Sequence, residues 1–251
     1  MNQIRLSPSR ITDFNNCPQL YKYRAVDQLP EQISIDAERG KLVHSVLEKL
    51  FDSPQGLRNL DLALSLIPTL WEIQKEEVPG LEALITSQKE WDDRVAALLA
   101  TYFLLEEPNS FDATHREMHV ELNLSENIYV HGYVDRMDIA PTGEVRIVDY
   151  KTGKAPQPRW QGKALSQLKI YALVYWRNTG VIPRLLQLIY LGSSEVVRSK
   201  PTADDLIETE VGLFEVATSI LSATQENSWP PRPSRLCDWC SFKSICPAFS
   251  S

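Results

Sequence analysis

The sequence predicts an α/β protein with a mixed central sheet flanked by helices. Three observations carry that expectation: helical apolar spacing in the first hundred residues, a switch to period-two alternation from His115, and a return to helical spacing between apolar strands after Leu165. The 251 residues are 43% hydrophobic and 24% charged, with 10 Gly and 16 Pro, which excludes a disordered or collagen-like chain. One core with a sizeable insertion is expected at this length, since single cores stop growing near roughly 250–300 residues. Residues 1–251 are therefore read as a single domain.

Ser7-Pro8 reads as an N-cap followed by proline in the first turn, opening a helix from Ser9 to about Asn16 that runs into Cys17-Pro18. A second helix follows Gly40, where His44, Leu47, Glu48 and Phe51 fall at i, i+3, i+4 and i+7 and set His44 on or beside the apolar stripe. Residues 52–110 keep helical periodicity, broken at Pro68 and at Pro79-Gly80, and form a helical insertion with few side chains suited to chemistry. From His115, Met118, Val120 and Leu122 alternate with Glu117, His119 and Glu121, as in a half-exposed strand. Ile128–Ile139 and Val145–Tyr150 continue the sheet. Between them Pro141-Thr142-Gly143 has proline where a type I turn wants it and glycine where a left-handed residue closes the loop. Leu165 to about Trp176 reads as a helix and Leu185–Leu191 as an apolar strand. A capping box from Thr202 to Asp205 opens a long helix that fades near Ser222. Residues 229–251 are Pro-rich and then Cys-rich.

With 26 Lys plus Arg against 33 Asp plus Glu, the formal charge of −7 argues against a uniformly basic coat for nucleic acid. The distribution differs from the sum. From Tyr150 to Ser194 there is no carboxylate, while Lys151, Lys154, Arg159, Lys163, Lys169, Arg177 and Arg184 are all cationic. Such a stretch suits a focused anion-binding surface or a solvated face. The N-terminus lacks the apolar run of a secretory signal, and no apolar stretch approaches the roughly 20 residues that cross a bilayer. A cytoplasmic protein is expected.

If residues 141–143 form a three-residue loop, Ala140 faces Glu144 and Asp135 faces Asp149. Facing side chains lie roughly 4.5–5.5 Å apart, and like charges so placed destabilise a sheet. A divalent cation compensates, since Mg²⁺ or Mn²⁺ takes carboxylate oxygens and keeps positions open for water and a substrate phosphate. Lys151, two residues beyond Asp149, returns to the same face. Two acids and an ammonium are the equipment of metal-dependent phosphodiester hydrolysis; a surface hairpin with an Asp–Lys pair is the plainer alternative.

His44 in a helix after Arg39-Gly40, Gly132-Tyr133-Val134-Asp135-Arg136-Met137-Asp138, Val148-Asp149-Tyr150-Lys151-Thr152-Gly153-Lys154 and Gln167-Leu168-Lys169-Ile170-Tyr171 together resemble the motif series of RecB-type nucleases of the PD-(D/E)xK superfamily. The resemblance implies a restriction-endonuclease-like core. It implies that His44, Asp135, Asp149 and the backbone carbonyl of Tyr150 hold Mg²⁺ or Mn²⁺, that Asp135, Asp149 and Lys151 are catalytic, and that Gln167 and Tyr171 border the site and contact DNA. Lys163, one turn before Gln167, and Lys154 extend that DNA-binding set. Glu117 matches an acidic position of some relatives on the first strand of this sheet, with His119 and Glu121 as alternatives.

Cys237-x₂-Cys240-x₅-Cys246, with Cys17 at the other end of the chain, makes a four-thiol set suited to zinc or to an iron–sulfur cluster. Its arrangement resembles the iron–sulfur branch of these nucleases, which includes the AddB nuclease domain and the exonuclease of CRISPR adaptation. The resemblance implies a [4Fe–4S] cluster, with Zn²⁺ as the alternative, joining the termini. The function it implies is a metal-dependent DNA exonuclease acting on ends or single strands in repair, recombination or defence. The alternative is a non-catalytic iron–sulfur DNA-binding or assembly subunit of a helicase–nuclease complex. A zinc-stapled structural protein with incidental hairpin acids is a further one. Trp160, Tyr171, Tyr175 and Trp176 offer rings on which bases could stack. There is no G-x-x-x-x-G-K-[ST], so any unwinding falls to a helicase or another repair or defence partner.

Overall fold

The computed structural model describes residues 3–249. In chain order its strands are β1 (Ile4–Leu6), β2 (His115–Ser125), β3 (Ile128–Ile139), β4 (Val145–Lys151), β5 (Leu185–Tyr190) and β6 (Glu195–Ser199). Its α-helices are α1 (Pro8–Asn16), α2 (Pro18–Tyr21), α3 (Ile35–Leu50), α4 (Leu60–Glu77), α5 (Leu81–Leu84), α6 (Gln88–Leu105), α7 (Pro158–Ala164), α8 (Ser166–Thr179) and α9 (Ala203–Gln225). They form a mixed α/β fold divided into two compact units, with β2 and β3 running through both.

One unit takes residues 3–32, 120–132 and 203–249. Here β1 pairs in parallel with Ile128–Val130 of β3. The buried stripe of α9, Leu206, Leu213, Ala217 and Ile220, recurs at near-helical spacing, and α9 packs on α1 and β1. The early and late segments of the chain meet in this unit. Tyr21 stacks on Trp229 with ring centroids 5.8 Å apart, the Tyr23 hydroxyl donates to the Ile245 carbonyl at 3.0 Å, and Arg232 Nη1 donates to the Asn15 carbonyl at 2.9 Å.

The other unit takes Ile33–His119 and Tyr133–Thr202. Its sheet is mixed: β3 is antiparallel to β4, β4 parallel to β5, and β5 antiparallel to β6. Alternation along β4 serves two layers. Val148 and Tyr150, with Ile189 and Leu191, join an apolar cluster built by Leu42, Val46 and Leu50 of α3, Ile67 and Trp71 of α4, and Trp91, Val95 and Leu99 of α6. Helix α8 packs against β4 and β5. The hairpin closes as Ala140 N–H donates to the Glu144 carbonyl at 2.9 Å, with Gly143 at φ +87°, a left-handed position that glycine occupies without strain. Arg136 then pairs with Val148 and Met137 with Ile147, the register implied by a three-residue loop.

Several elements depart from sequence expectation. Helix α3 starts at Ile35, not after Gly40, because Ser34 caps it by accepting from Ala37 N–H and Asp36 and Glu38 occupy its first turn. Gly40 sits inside the helix, where an added Cβ would lie 3.2 Å from Thr152 Oγ1, so close approach rather than termination explains it. Pro68 lies within α4 without ending it. The side chains of Ala63, Ile67, Trp71 and Gln74 are buried along that helix, and packing of this face sustains it past the proline. Strands β1 and β6 and helix α7 were not expected from periodicity; all are short.

Beneath the sheet, on the face of Tyr150, lies a buried charge network. Arg136, 1% exposed, sits 2.7 Å from Glu106 Oε2 and 3.1 Å from Asp138 Oδ1, and donates to the Tyr150 hydroxyl at 2.6 Å. Arg146 Nε is 2.7 Å from Asp138 Oδ2, and Gln187 donates to Glu106 Oε1 at 2.9 Å. Burial disfavours the guanidinium, but the surrounding oxygens outweigh it and hold Arg136 firmly protonated. Removing one member of such a network leaves the rest buried without a counter-charge. Arg136→Met is therefore expected to cost about 3–5 kcal/mol, read as a lower urea midpoint at unchanged m-value; an unchanged midpoint would show the network to be incidental.

Candidate active site

Helix α3 brings His44 over the end of β4. Its Nε2 lies 2.9 Å from the Tyr150 carbonyl oxygen, and its Nδ1 lies 3.3 Å from Asp135 Oδ2 on β3. Asp135 Oδ2 also accepts the Tyr150 backbone N–H at 2.7 Å. The ladder between β3 and β4 runs as far as Arg136–Val148, and Asp135 and Asp149 are the next residue on each strand. Lys151 Nζ lies 2.7 Å from Asp149 Oδ2 and donates to Gln167 Oε1 at 3.0 Å. Gln167 Nε2 in turn donates to the Tyr171 hydroxyl at 3.1 Å. These contacts bring His44, Asp135, Asp149, Tyr150, Lys151, Gln167 and Tyr171 into one connected set.

The position of β4 depends on a second close approach. A Cβ on Gly192 would fall 2.5 Å from the Thr152 carbonyl oxygen and 2.7 Å from that of Gly153, inside any real contact distance. Absence of a side chain there lets Leu191 N–H reach the Lys151 carbonyl at 2.8 Å and fixes the strand end that carries the lysine.

Glu117 joins the set in a way the alternation of β2 does not announce. Its φ is +42°, an uncommon conformation for a residue with a side chain, and it is half-buried while His119 and Glu121 are exposed. One ligand atom each from His44, Glu117 and Asp135 lies within 4.8 Å of the others. Sequence reading left Glu117, His119 and Glu121 open as the residue facing the site, and the kinked backbone is what distinguishes Glu117.

Electrostatically the cluster is short of positive charge. Burial, then the Asp149 charge, pushes Asp135 well above the usual carboxylate range. Burial and the Asp135 charge lift Glu117 to about 7. His44 is lowered by burial, against the pull of Asp149 and Glu117, and is neutral at pH 7. Burial disfavours the Lys151 ammonium, but the Asp149 and Asp135 carboxylates more than offset it and raise its pKa. Burial raises the Tyr171 phenol to about 12, so it remains a neutral hydroxyl. Carboxyl oxygens that resist ionisation beside a neutral imidazole are a donor set that fits a hard divalent cation.

The chain as a whole is similar to known proteins. Residues 5–247 match the family model of the PD-(D/E)XK nuclease superfamily. The chain belongs to this superfamily. Its members use divalent metals, in keeping with the oxygen-rich cluster of this chain. An uncharacterized protein of Rickettsia bellii is 26% identical over 178 residues, covering 64% of this chain, and the match spans only 19% of that longer protein. The Gene 69 protein of Mycobacterium phage D29 is 25% identical, with 99% of this chain and 100% of the phage protein covered. A crystal structure from Eubacterium rectale, described as that of a candidate exonuclease, superposes with a TM-score of 0.60 at 15% identity, covering 94% of this chain and 86% of the other; the likeness is one of fold. Among the described residues, no helix is long and apolar enough to cross a membrane.

Of the remaining residues singled out from sequence, Lys154 and Lys163 are exposed, whereas Tyr171 is 4% exposed and meets the site through Gln167. In the other unit, Cys17, Cys237, Cys240 and Cys246 line one cavity together with Leu20, Tyr23, Leu236 and Phe249. None of the four is joined in a disulfide. Arg232 N–H donates to Cys17 Sγ and Ser234 N–H to Cys237 Sγ, each at 3.4 Å.

The raised pKa of Glu117 carries a linkage prediction. A carboxyl at about 7 in the fold, against 4.5 ordinarily, stabilises the metal-free protein below about pH 4.5, and that contribution disappears as pH rises through about 7. In chelator, urea midpoints should therefore fall between about pH 5 and 7.5 and fall less steeply in Glu117→Gln; parallel profiles for the two proteins would contradict the burial argument.

Proposed function

We propose that this superfamily member is a divalent-metal-dependent deoxyribonuclease, an exonuclease working on DNA ends or single strands in repair, recombination or defence. The observation that carries the reading is the convergence of Asp135, Asp149, Lys151, His44 and the Tyr150 carbonyl at one strand end. His44, Asp135, Asp149 and the Tyr150 carbonyl are assigned as ligands for Mg²⁺ or Mn²⁺, with Glu117 beside them. When bound, that ion supplies Lewis-acid polarisation of the phosphodiester and a more acidic water.

The protein's own groups do the rest. Lys151 stays cationic at neutral pH, so its role is to stabilise charge developing on the phosphate or to orient water, not to accept a proton. Gln167 accepts from the ammonium that Asp149 also holds, and donates to the Tyr171 hydroxyl, so the lysine is aimed by two partners. Lys154 and Lys163 are assigned to DNA phosphates, and a helicase or other repair or defence protein to any unwinding. The test is cleavage of end-labelled DNA with Mn²⁺ or Mg²⁺. Wild-type protein should shorten the strand, while Asp149→Ala and Lys151→Ala should each lose at least about 100-fold in rate, the scale of removing an electrostatic stabiliser. Equal absence of cleavage in all three would favour a DNA-binding subunit instead.

We further propose that Cys17, Cys237, Cys240 and Cys246 hold a [4Fe–4S] cluster, which places the chain in the iron–sulfur branch of RecB-like nucleases and in a reducing cytoplasm. Support comes from the apolar lining shared by the four thiols and from backbone N–H groups aimed at two of the sulfurs. The cluster would tie residues near the two ends of the sequence, so its binding energy would be folding energy. Cys17→Ala is expected to lose iron and sulfide and to unfold at lower temperature. Retention of both thermal midpoint and metal content would overturn the staple, and zinc without sulfide would replace the cluster with a Cys₄ zinc site.

A further inference from the structure

Between Lys151 on β4 and Gln167 on α8 the acid-free stretch makes α7, in which no residue is buried. Surface helices ordinarily bury one apolar stripe. In α7 the large apolar side chain, Trp160, is instead 54% exposed. Arg159 and Lys163 are separated by one helical turn and Trp160 and Lys163 by three residues, so the three share a face. The Arg159 guanidinium lies 5.6 Å from the centre of the Trp160 ring. None of the ion pairs of the described residues involves Lys154, Arg159 or Lys163, whereas Arg116 and Lys75 elsewhere in the same unit are paired.

The other rings that could stack on a base are less available. Tyr171 is buried, and Tyr175 and Trp176 are half-buried, with Arg177 covering Trp176 at 4.4 Å. Trp160 alone of the four is exposed, with Arg159 over its ring and Lys163 three residues on in the same helix. Its helix ends three residues before Gln167, a chain reach of roughly 10 Å. An exposed indole with cations beside it suits a strand whose bases are unstacked and whose phosphates run past at short intervals. A duplex turns its base faces inward and offers the ring nothing to stack on.

We propose that α7 is a single-strand selector: one base of single-stranded DNA stacks on Trp160 while Lys154, Arg159 and Lys163 hold neighbouring phosphates, and this directs the strand toward Gln167 and Lys151. The proposal rests on the nuclease reading for its purpose but not for its test, which needs no cleavage. Full-length protein in chelator is titrated with a fluorescein-labelled single-stranded 20-mer, the matching duplex, and a 20-mer of abasic residues, read by anisotropy. Wild type should prefer the single strand. Trp160→Ala should weaken its binding about tenfold, leave the duplex within about threefold, and bind ordinary and abasic strands alike. Trp160→Phe should restore most of the loss. Arg159→Gln and Lys163→Gln should each lower the salt slope of binding by about 0.7, the increment for one phosphate contact on a single strand. Equal affinity of wild type and Trp160→Ala for the single strand overturns the proposal, as does tight wild-type binding of the abasic strand or no DNA binding at all. If DNA is cleaved normally while Trp160→Ala binds as wild type, the selector fails and the nuclease reading stands. If binding discriminates as described but no cleavage occurs, the reverse holds.

Discussion

Two carboxyl groups, Asp135 and Asp149, are carried close together just beyond the last paired residues of adjacent strands and largely withdrawn from water, and much of the surrounding structure answers that crowding. At an effective dielectric constant near 20, two unit charges roughly 5 Å apart repel by about 3 kcal/mol. Folding around such a pair requires donors and cations close by. One backbone N–H goes to Asp135, one ammonium to Asp149, and a neutral imidazole lies against the first acid. What these groups leave uncompensated appears as carboxyls that resist losing their protons. A site in that condition is biased toward cations before any cation arrives.

Tyr150 links this pair to the rest of the unit through three of its groups. Its amide donates to Asp135, its carbonyl faces His44, and its phenol accepts from Arg136 in the buried network below. The period-two geometry of β4 makes this possible, because Asp149 and Lys151 point to one face while Val148 and Tyr150 enter the α3–α4–α6 core. Chemistry and packing are thereby placed on opposite sides of one strand. Gly40 and Gly192 let the Thr152–Gly153 segment approach closely, so the strand end is held by sterics as well as by hydrogen bonds.

How much of this can be read in the sequence depends on how local its cause is. The hairpin register follows from Pro141-Thr142-Gly143 and the alternation beside it, and the shared face of Asp149 and Lys151 follows from strand period alone. Helix α3 was misjudged at its start because Gly40 looks like punctuation, whereas its role is a contact with Thr152 from a distant part of the chain. The continuity of α4 through Pro68 was hidden for the same reason, since tertiary burial overrides propensity. The alternation of β2 does not single out Glu117, which only the resemblance favours, from His119 and Glu121: its positive φ is a local rotation that period-two spacing does not encode. Exposed α7 lacks the apolar stripe that makes a helix visible in sequence, and for that reason its one tryptophan stands out in structure.

The two candidate metal sites differ in donor chemistry as completely as in location. His44, Glu117, Asp135 and Asp149 belong to the unit spanning Ile33–His119 and Tyr133–Thr202, and they present oxygens and one imidazole. The four cysteines belong to the other unit and present only sulfur, among apolar neighbours. Hard Mg²⁺ and Mn²⁺ bind thiolates poorly, and thiophilic metals gain most from an all-sulfur set, so ligand type sorts the cations without a gate or a carrier. That separation leaves each site free to be tuned independently. Crowded carboxylates suit a hard cation that keeps exchangeable water, and a thiol set with no open oxygen ligand suits an ion or cluster that stays in place.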